Sequence, residues 1–156
     1  YYAPLTAIAR IHGACLGGSC LLASACDLRY AAADASLGIP VAKLGIVLDD
    51  GCVNRLADLV GTARARELLF SGCTISGIEA QSIGLVNKAM EEAELTAYTL
   101  TQAKTIAANS SNTIKEVKQS LSRRRRSPDS DVLIKQMERI RNSYLSNEFK
   151  ERLSKL

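Results

Sequence analysis

Tryptophan is absent from this 156-residue sequence, phenylalanine occurs twice and histidine once. No apolar run approaches the ~18 residues needed to cross a bilayer. The amino terminus carries no basic stretch followed by an apolar one, so neither a membrane-spanning nor a secreted protein is expected, and an intracellular soluble one is. The cysteines, Cys15, Cys20, Cys26, Cys52 and Cys73, form no Cys-x-x-Cys pair. With His12 as the lone imidazole they do not compose the four-ligand set of a closed zinc site. Most lie in apolar stretches, where a reduced thiol packs as a small hydrophobe. The shortage of aromatic rings also bears on Arg123, Arg124, Arg125 and Arg126, which by themselves account for the net charge of +4. Without interleaved rings to stack bases, this run reads as a solvated loop, and nucleic acid is not an expected partner.

What the chain does have is an apolar content of 47%, enough at this length for one domain with its own core. Alternation of Leu5, Ala7, Ala9 and Ile11 predicts a strand that ends at His12-Gly13. Gly17-Gly18-Ser19 then opens an apolar helix over Cys20 to Ala25, and Asp27 to Ala32 returns as a strand. Pro40 is expected to break any regular element between Gly38 and Leu48. Asp49 or Asp50 caps a helix in which Val53, Leu56, Ala57 and Val60 recur at helical spacing, and Gly61 stops it. A second helix runs from Thr62 through Leu69 to Gly72. Ser76 and Glu79 have the spacing of a capping box before a short helix to Ser82, and Leu85-Val86-Asn87 is a strand candidate. No glycine follows Gly84. That change divides residues 1–90, punctuated by glycine, from a helical region over residues 91–156. There Ile114, Val117 and Leu121, and then Leu133, Met137, Ile140 and Tyr144, mark apolar stripes that suit an oligomerisation element.

The segment Ile11-His12-Gly13-Ala14-Cys15-Leu16-Gly17-Gly18-Ser19-Cys20-Leu21-Leu22-Ala23-Ser24-Ala25-Cys26-Asp27-Leu28-Arg29 resembles the glycine-rich signature of the crotonase, or enoyl-CoA hydratase/isomerase, family. The likeness continues through Leu37-Gly38-Ile39-Pro40, Lys43-Leu44-Gly45-Ile46, Leu59-Val60-Gly61 and Glu79-Ala80-Gln81-Ser82-Ile83-Gly84-Leu85-Val86. The resemblance implies an α/β fold, a partial right-handed spiral of ββα turns followed by a helical trimerisation region, with assembly as trimers or hexamers. It further implies an acyl-CoA thioester as ligand, coenzyme A being part of the substrate and no metal or redox cofactor being needed. Two backbone N–H groups hold the thioester oxyanion in such proteins, and Gly18, beside Gly17, occupies one donor position. A preceding segment that supplies the other is expected from the resemblance, so the chain reads as the carboxy-terminal part of a subunit.

The resemblance also locates departures. Hydratases of the family place glutamates at the positions of Leu21 and Val41, and neither hydrocarbon side chain moves a proton. Both residues stay expected substrate neighbours, whereas water addition lacks its acid and base. Some isomerases and a dehalogenase of the family carry an aspartate where Asp49 stands, which implies double-bond isomerisation with one carboxylate base. The same residue type caps helices, so Asp49 and Asp50 are open to a division in which Asp50 caps and Asp49 faces substrate. Asp27 reads as a buried hydrogen-bonding group and His12 as structural. A cytoplasmic location is expected. The terminal Ser154-Lys155-Leu156 would direct a eukaryotic chain with this native end to the peroxisomal matrix.

Overall fold

A computed structural model describes residues 5–123 and 130–155. Arg124 to Arg126, in the arginine run expected as a loop, and Leu156, the last residue of the expected peroxisomal signal, lie outside the described residues. Strand β1 (Ile8–Ile11) and strand β2 (Ala14–Leu16) lead into helix α1 (Gly18–Ala25). Strands β3 (Leu28–Ala32) and β4 (Ser36–Gly38) lead into α2 (Val41–Leu44) and α3 (Asp50–Ser71). Each second-round strand lies parallel to its predecessor, with Ile8 opposite Leu28 and Ala14 opposite Ser36. The result is two stacked ββα turns, the α/β spiral of crotonase type that the glycine signature implies.

A third round is shorter. Strand β5 (Thr74–Ser76) adds antiparallel to β4, helix α4 (Gly77–Ser82) follows, and strand β6 (Lys88–Met90) joins β3 in parallel. The two sheets therefore run β1-β3-β6 and β2-β4-β5. Leu37, Ile39, Leu56 and Val86 are fully enclosed between them and the helices. Helices α5 (Glu92–Ala108), α6 (Ser111–Arg123), α7 (Ser130–Leu145) and α8 (Asn147–Leu153) complete the described chain. Leu95 of α5 is fully buried, and the Tyr98 ring meets Tyr30 of β3 edge to face at 5.1 Å, which fixes α5 on the first sheet.

Several local expectations change. Pro40 does not end regular structure but starts it: it is the N-cap of α2, where a missing N–H costs no hydrogen bond. Strands β2, β4 and β5 are each three residues long, too short for an alternation to register in sequence. The third-round strand is Lys88–Met90, not Leu85-Val86-Asn87: the Leu85 and Val86 N–H groups close onto the Ala80 carbonyl as the end of α4. Gly61 bends α3 at φ 77° without terminating it, so the two expected helices join across a kink. The Ser76–Glu79 capping box forms with both reciprocal bonds.

Gly77, at the start of α4, is packed against the backbone where β3 ends. A β-carbon there would collide with the Ala32 carbonyl oxygen, a neighbour that cannot swing away. Gly77→Ala is expected to cost roughly 1–3 kcal/mol of stability. Chemical denaturation checks this, and an unchanged midpoint would contradict the packing.

Candidate functional site

The turn from β2 to α1 is built around two glycines. Gly17 adopts φ 57° and ψ −119°, a conformation that a side chain disfavours. Its N–H donates to the Gly38 carbonyl at 2.8 Å, tying the loop to the next turn of the spiral, and its own carbonyl accepts from Leu21 N–H at 3.0 Å. The Ser19 hydroxyl donates back to the Leu16 carbonyl at 2.8 Å. With the loop held on both sides, Gly18 stands exposed as the first residue of α1. A first-turn N–H has no acceptor within its helix, and it points from the positive end of the helix dipole. Outside its own turn of helix, no atom lies within 4 Å of where a Gly18 β-carbon would be, so the chain is uncrowded on that side of Gly18.

Beneath the loop, Cys15 of β2 and Cys20 of α1 are both buried, and each thiol shifts the ionisation of the other. The Cys20 thiol stabilises the Cys15 thiolate more than burial disfavours it, bringing the Cys15 pKa down to about 7. The reciprocal effect, with burial, pushes Cys20 far up. Sequence reading placed both as inert core thiols and missed the pairing. The available signal was their position on either side of one tight turn.

Leu21 and Val41 are half-buried and pack against the core as aliphatic side chains. Val41 opens α2 three residues after Gly38, the residue that accepts from Gly17, so the glycine loop and the α2 start are joined through one hydrogen bond. Helices α1 and α2 both pack on α3. Asp49 is the N-cap of α3: its Oδ1 accepts from the Cys52 N–H at 2.9 Å. The division of labour that gave the cap to Asp50 is thereby corrected. Asp50 is exposed and lies 3.8 Å from Arg139, while a single carboxylate, Asp49, does the capping.

The cap leaves Asp49 with further acceptor capacity. Burial opposes its ionisation, but the Cys52 thiol and N–H, the Arg55 charge and the Gly51 N–H together outweigh that, and its pKa lies below the ordinary carboxylate value. In return, burial and then the Asp49 carboxylate push the Cys52 thiol up to about 11. Asp49 is a half-buried anion at neutral pH. Asp27 is also only half-buried, and it is structural: its Oδ2 accepts from Ala7 N–H at 2.8 Å and from Lys118 Nζ at 2.7 Å. His12 is exposed, 3.8 Å from Glu92.

A family model described as enoyl-CoA hydratase/isomerase matches residues 1–154. The chain belongs to the enoyl-CoA hydratase/isomerase family. Within that family it is 43% identical to a short-chain-enoyl-CoA hydratase of Clostridioides difficile over 114 residues, which cover 73% of each chain. It is 48% identical to a peroxisomal Δ(3,5)-Δ(2,4)-dienoyl-CoA isomerase of Arabidopsis thaliana over 81 residues, 52% of this chain and 29% of that one. The structure of methylmalonyl-CoA decarboxylase with 2-nitronate-propionyl-CoA superimposes with a TM-score of 0.85 at 24% identity, over 97% of this chain and 59% of that one. That likeness speaks for the crotonase fold. The chain spans well under two thirds of the length of several curated relatives that it matches. Hydratases and isomerases both stand among its relatives, so family membership makes it enzyme-like and leaves the reaction to be read from its own side chains.

Proposed function

We propose that this chain is the acyl-CoA-binding part of an enoyl-CoA isomerase. The observation that carries the reading is Asp49, a carboxylate held ionised at the start of α3, on which α1 and α2 pack, where Leu21 and Val41 offer no acid or base. A 3-enoyl thioester places its carbonyl oxygen at the Gly18 N–H. Asp49 removes a proton from C2, and the electron pair moves into the carbonyl to give a dienolate whose oxygen is met by the positive end of α1. The carboxylic acid then returns the proton to C4, and the double bond ends conjugated with the thioester. No water is added and no oxidant is consumed, so the reaction needs only one proton carrier.

Assembly as trimers or hexamers belongs to the same proposal. It is supported by the exposed apolar residues Leu133, Ile134 and Met137 on α7, which a solvated helix would not favour. The test of the activity is to supply a 3-enoyl-CoA in deuterated water to the purified protein. Appearance of the conjugated thioester absorbance with one solvent-exchangeable proton moved supports isomerisation. Formation of a 3-hydroxyacyl-CoA instead would overturn it.

A second reading has a specific observation in its favour. The aliphatic Leu21 and Val41 suit a subunit that binds acyl-CoA without turnover. Ligand binding with no reaction of any 2- or 3-enoyl-CoA would select that alternative.

A further inference from the structure

At the end of α1 remote from Gly18, a groove of about 550 Å³ opens between the spiral and α6. This is within the size of small-molecule sites. Its walls are mainly aliphatic, with Leu28, Leu59, Ile106, Ile114 and Val117 among them. Its charged groups are already engaged. Lys118 Nζ donates to Asp27 Oδ2 at 2.7 Å and to the Leu5 carbonyl at 2.9 Å. Arg29 donates from Nε to the Leu85 carbonyl and from a terminal nitrogen to the Cys26 carbonyl. Thr6, Ser24, Asn109 and Thr113 add neutral polar groups to the lining, but most of the exposed wall surface is apolar, which suits a hydrocarbon.

Helix α1 connects this groove to the glycine loop. Gly18, Leu22 and Ala25 recur at i, i+4 and i+7 along one side, and Ala25 lines the groove. Leu22 is 71% exposed, an apolar step between the two ends. The helix rise puts Ala25 about 10 Å beyond Gly18. At roughly 1.5 Å per carbon–carbon bond, shortened by the zigzag, on the order of eight carbons span that distance.

We propose that the groove receives the distal part of an unbranched acyl chain, making medium- and long-chain acyl-CoA thioesters the favoured ligands. This rests on the acyl-CoA reading above, with the thioester at Gly18 and the tail running along Leu22. Val117 on α6 lines the groove and is 54% exposed, so a larger side chain there narrows the cavity without displacing a buried one.

The test is calorimetric titration of the full chain with hexanoyl-, dodecanoyl- and hexadecanoyl-CoA, repeated on Val117→Trp. The wild-type protein is expected to bind dodecanoyl-CoA at least about tenfold more tightly than hexanoyl-CoA, because each buried methylene adds hydrophobic free energy. In Val117→Trp that preference falls toward unity. Equal affinity across the series in the wild-type protein overturns the proposal while leaving the acyl-CoA reading intact. A preference that survives in a folded Val117→Trp protein overturns the location of the tail. Failure to bind any of the three sinks both readings together.

Discussion

Replacing Asp49 by asparagine is expected to lower isomerase turnover by about 10²–10⁴-fold while acyl-CoA affinity changes little. Asparagine is an informative choice because it serves as an N-cap about as well as aspartate does. The Cys52 N–H therefore keeps an acceptor, α3 keeps its start, and what disappears is the capacity to take a proton. The measurement is a kcat and KM pair with a 3-enoyl-CoA, accompanied by a thermal melt. Unchanged turnover in a folded protein would leave Asp49 as a cap and nothing more. The pH dependence adds a second check. Because the folded-state pKa of Asp49 is depressed, the base stays ionised as pH falls through the ordinary carboxylate range, and the acid limb of kcat/KM lies below that range. The same depression contributes stability above the unfolded-state pKa that is lost as pH drops through the folded-state value.

Gly18→Pro is expected to reduce turnover by about 10²–10³-fold, the usual consequence of removing one oxyanion donor. Proline is tolerated at the first position of a helix, where its fixed φ suits the backbone and its missing N–H takes no intrahelical bond away. Gly18→Ala is the matching control. It retains the N–H, and its methyl group enters space with no atom within 4 Å outside its own turn of helix. Turnover near the wild-type level in the alanine variant and a collapse in the proline variant assign the loss to the N–H itself. Equal loss in both would point to crowding of the approach, and no loss in either would remove Gly18 from the chemistry.

Much of this architecture is legible in the sequence because its punctuation is chemical. Glycines at positions 17, 61, 72 and 84 all adopt positive φ, and each marks a turn, kink or helix end that periodicity alone suggests. The Ser76–Glu79 box is readable for the same reason: reciprocal hydrogen bonds demand a fixed spacing. What sequence conceals is held by distant backbone. Strands β2, β4 and β5 exist by virtue of their neighbours, since three residues carry no pattern of their own. At the site, the residue types at 18 and 49 can be singled out in advance. That Asp49 rather than Asp50 caps α3 depends on which residue leaves the extended conformation last, and the contact between Cys15 and Cys20 depends on how sharply the glycine turn doubles back.

The stacked turns carry a consequence for how the molecule assembles in time. Strand β3 is paired along both edges, with β1 on one side and β6 on the other, whereas among the described residues each of those pairs with β3 alone. Contacts of this kind link each round chiefly to the next, so order can propagate along the chain from any round that closes first. Amide hydrogens of Leu28–Ala32 should be the last to exchange with solvent, and those of Lys88–Met90 earlier, because the outer round can lift away while the inner one stays closed. The loop carrying Gly17 is tethered across rounds through Gly38, so its shape persists only as long as two successive rounds remain in register.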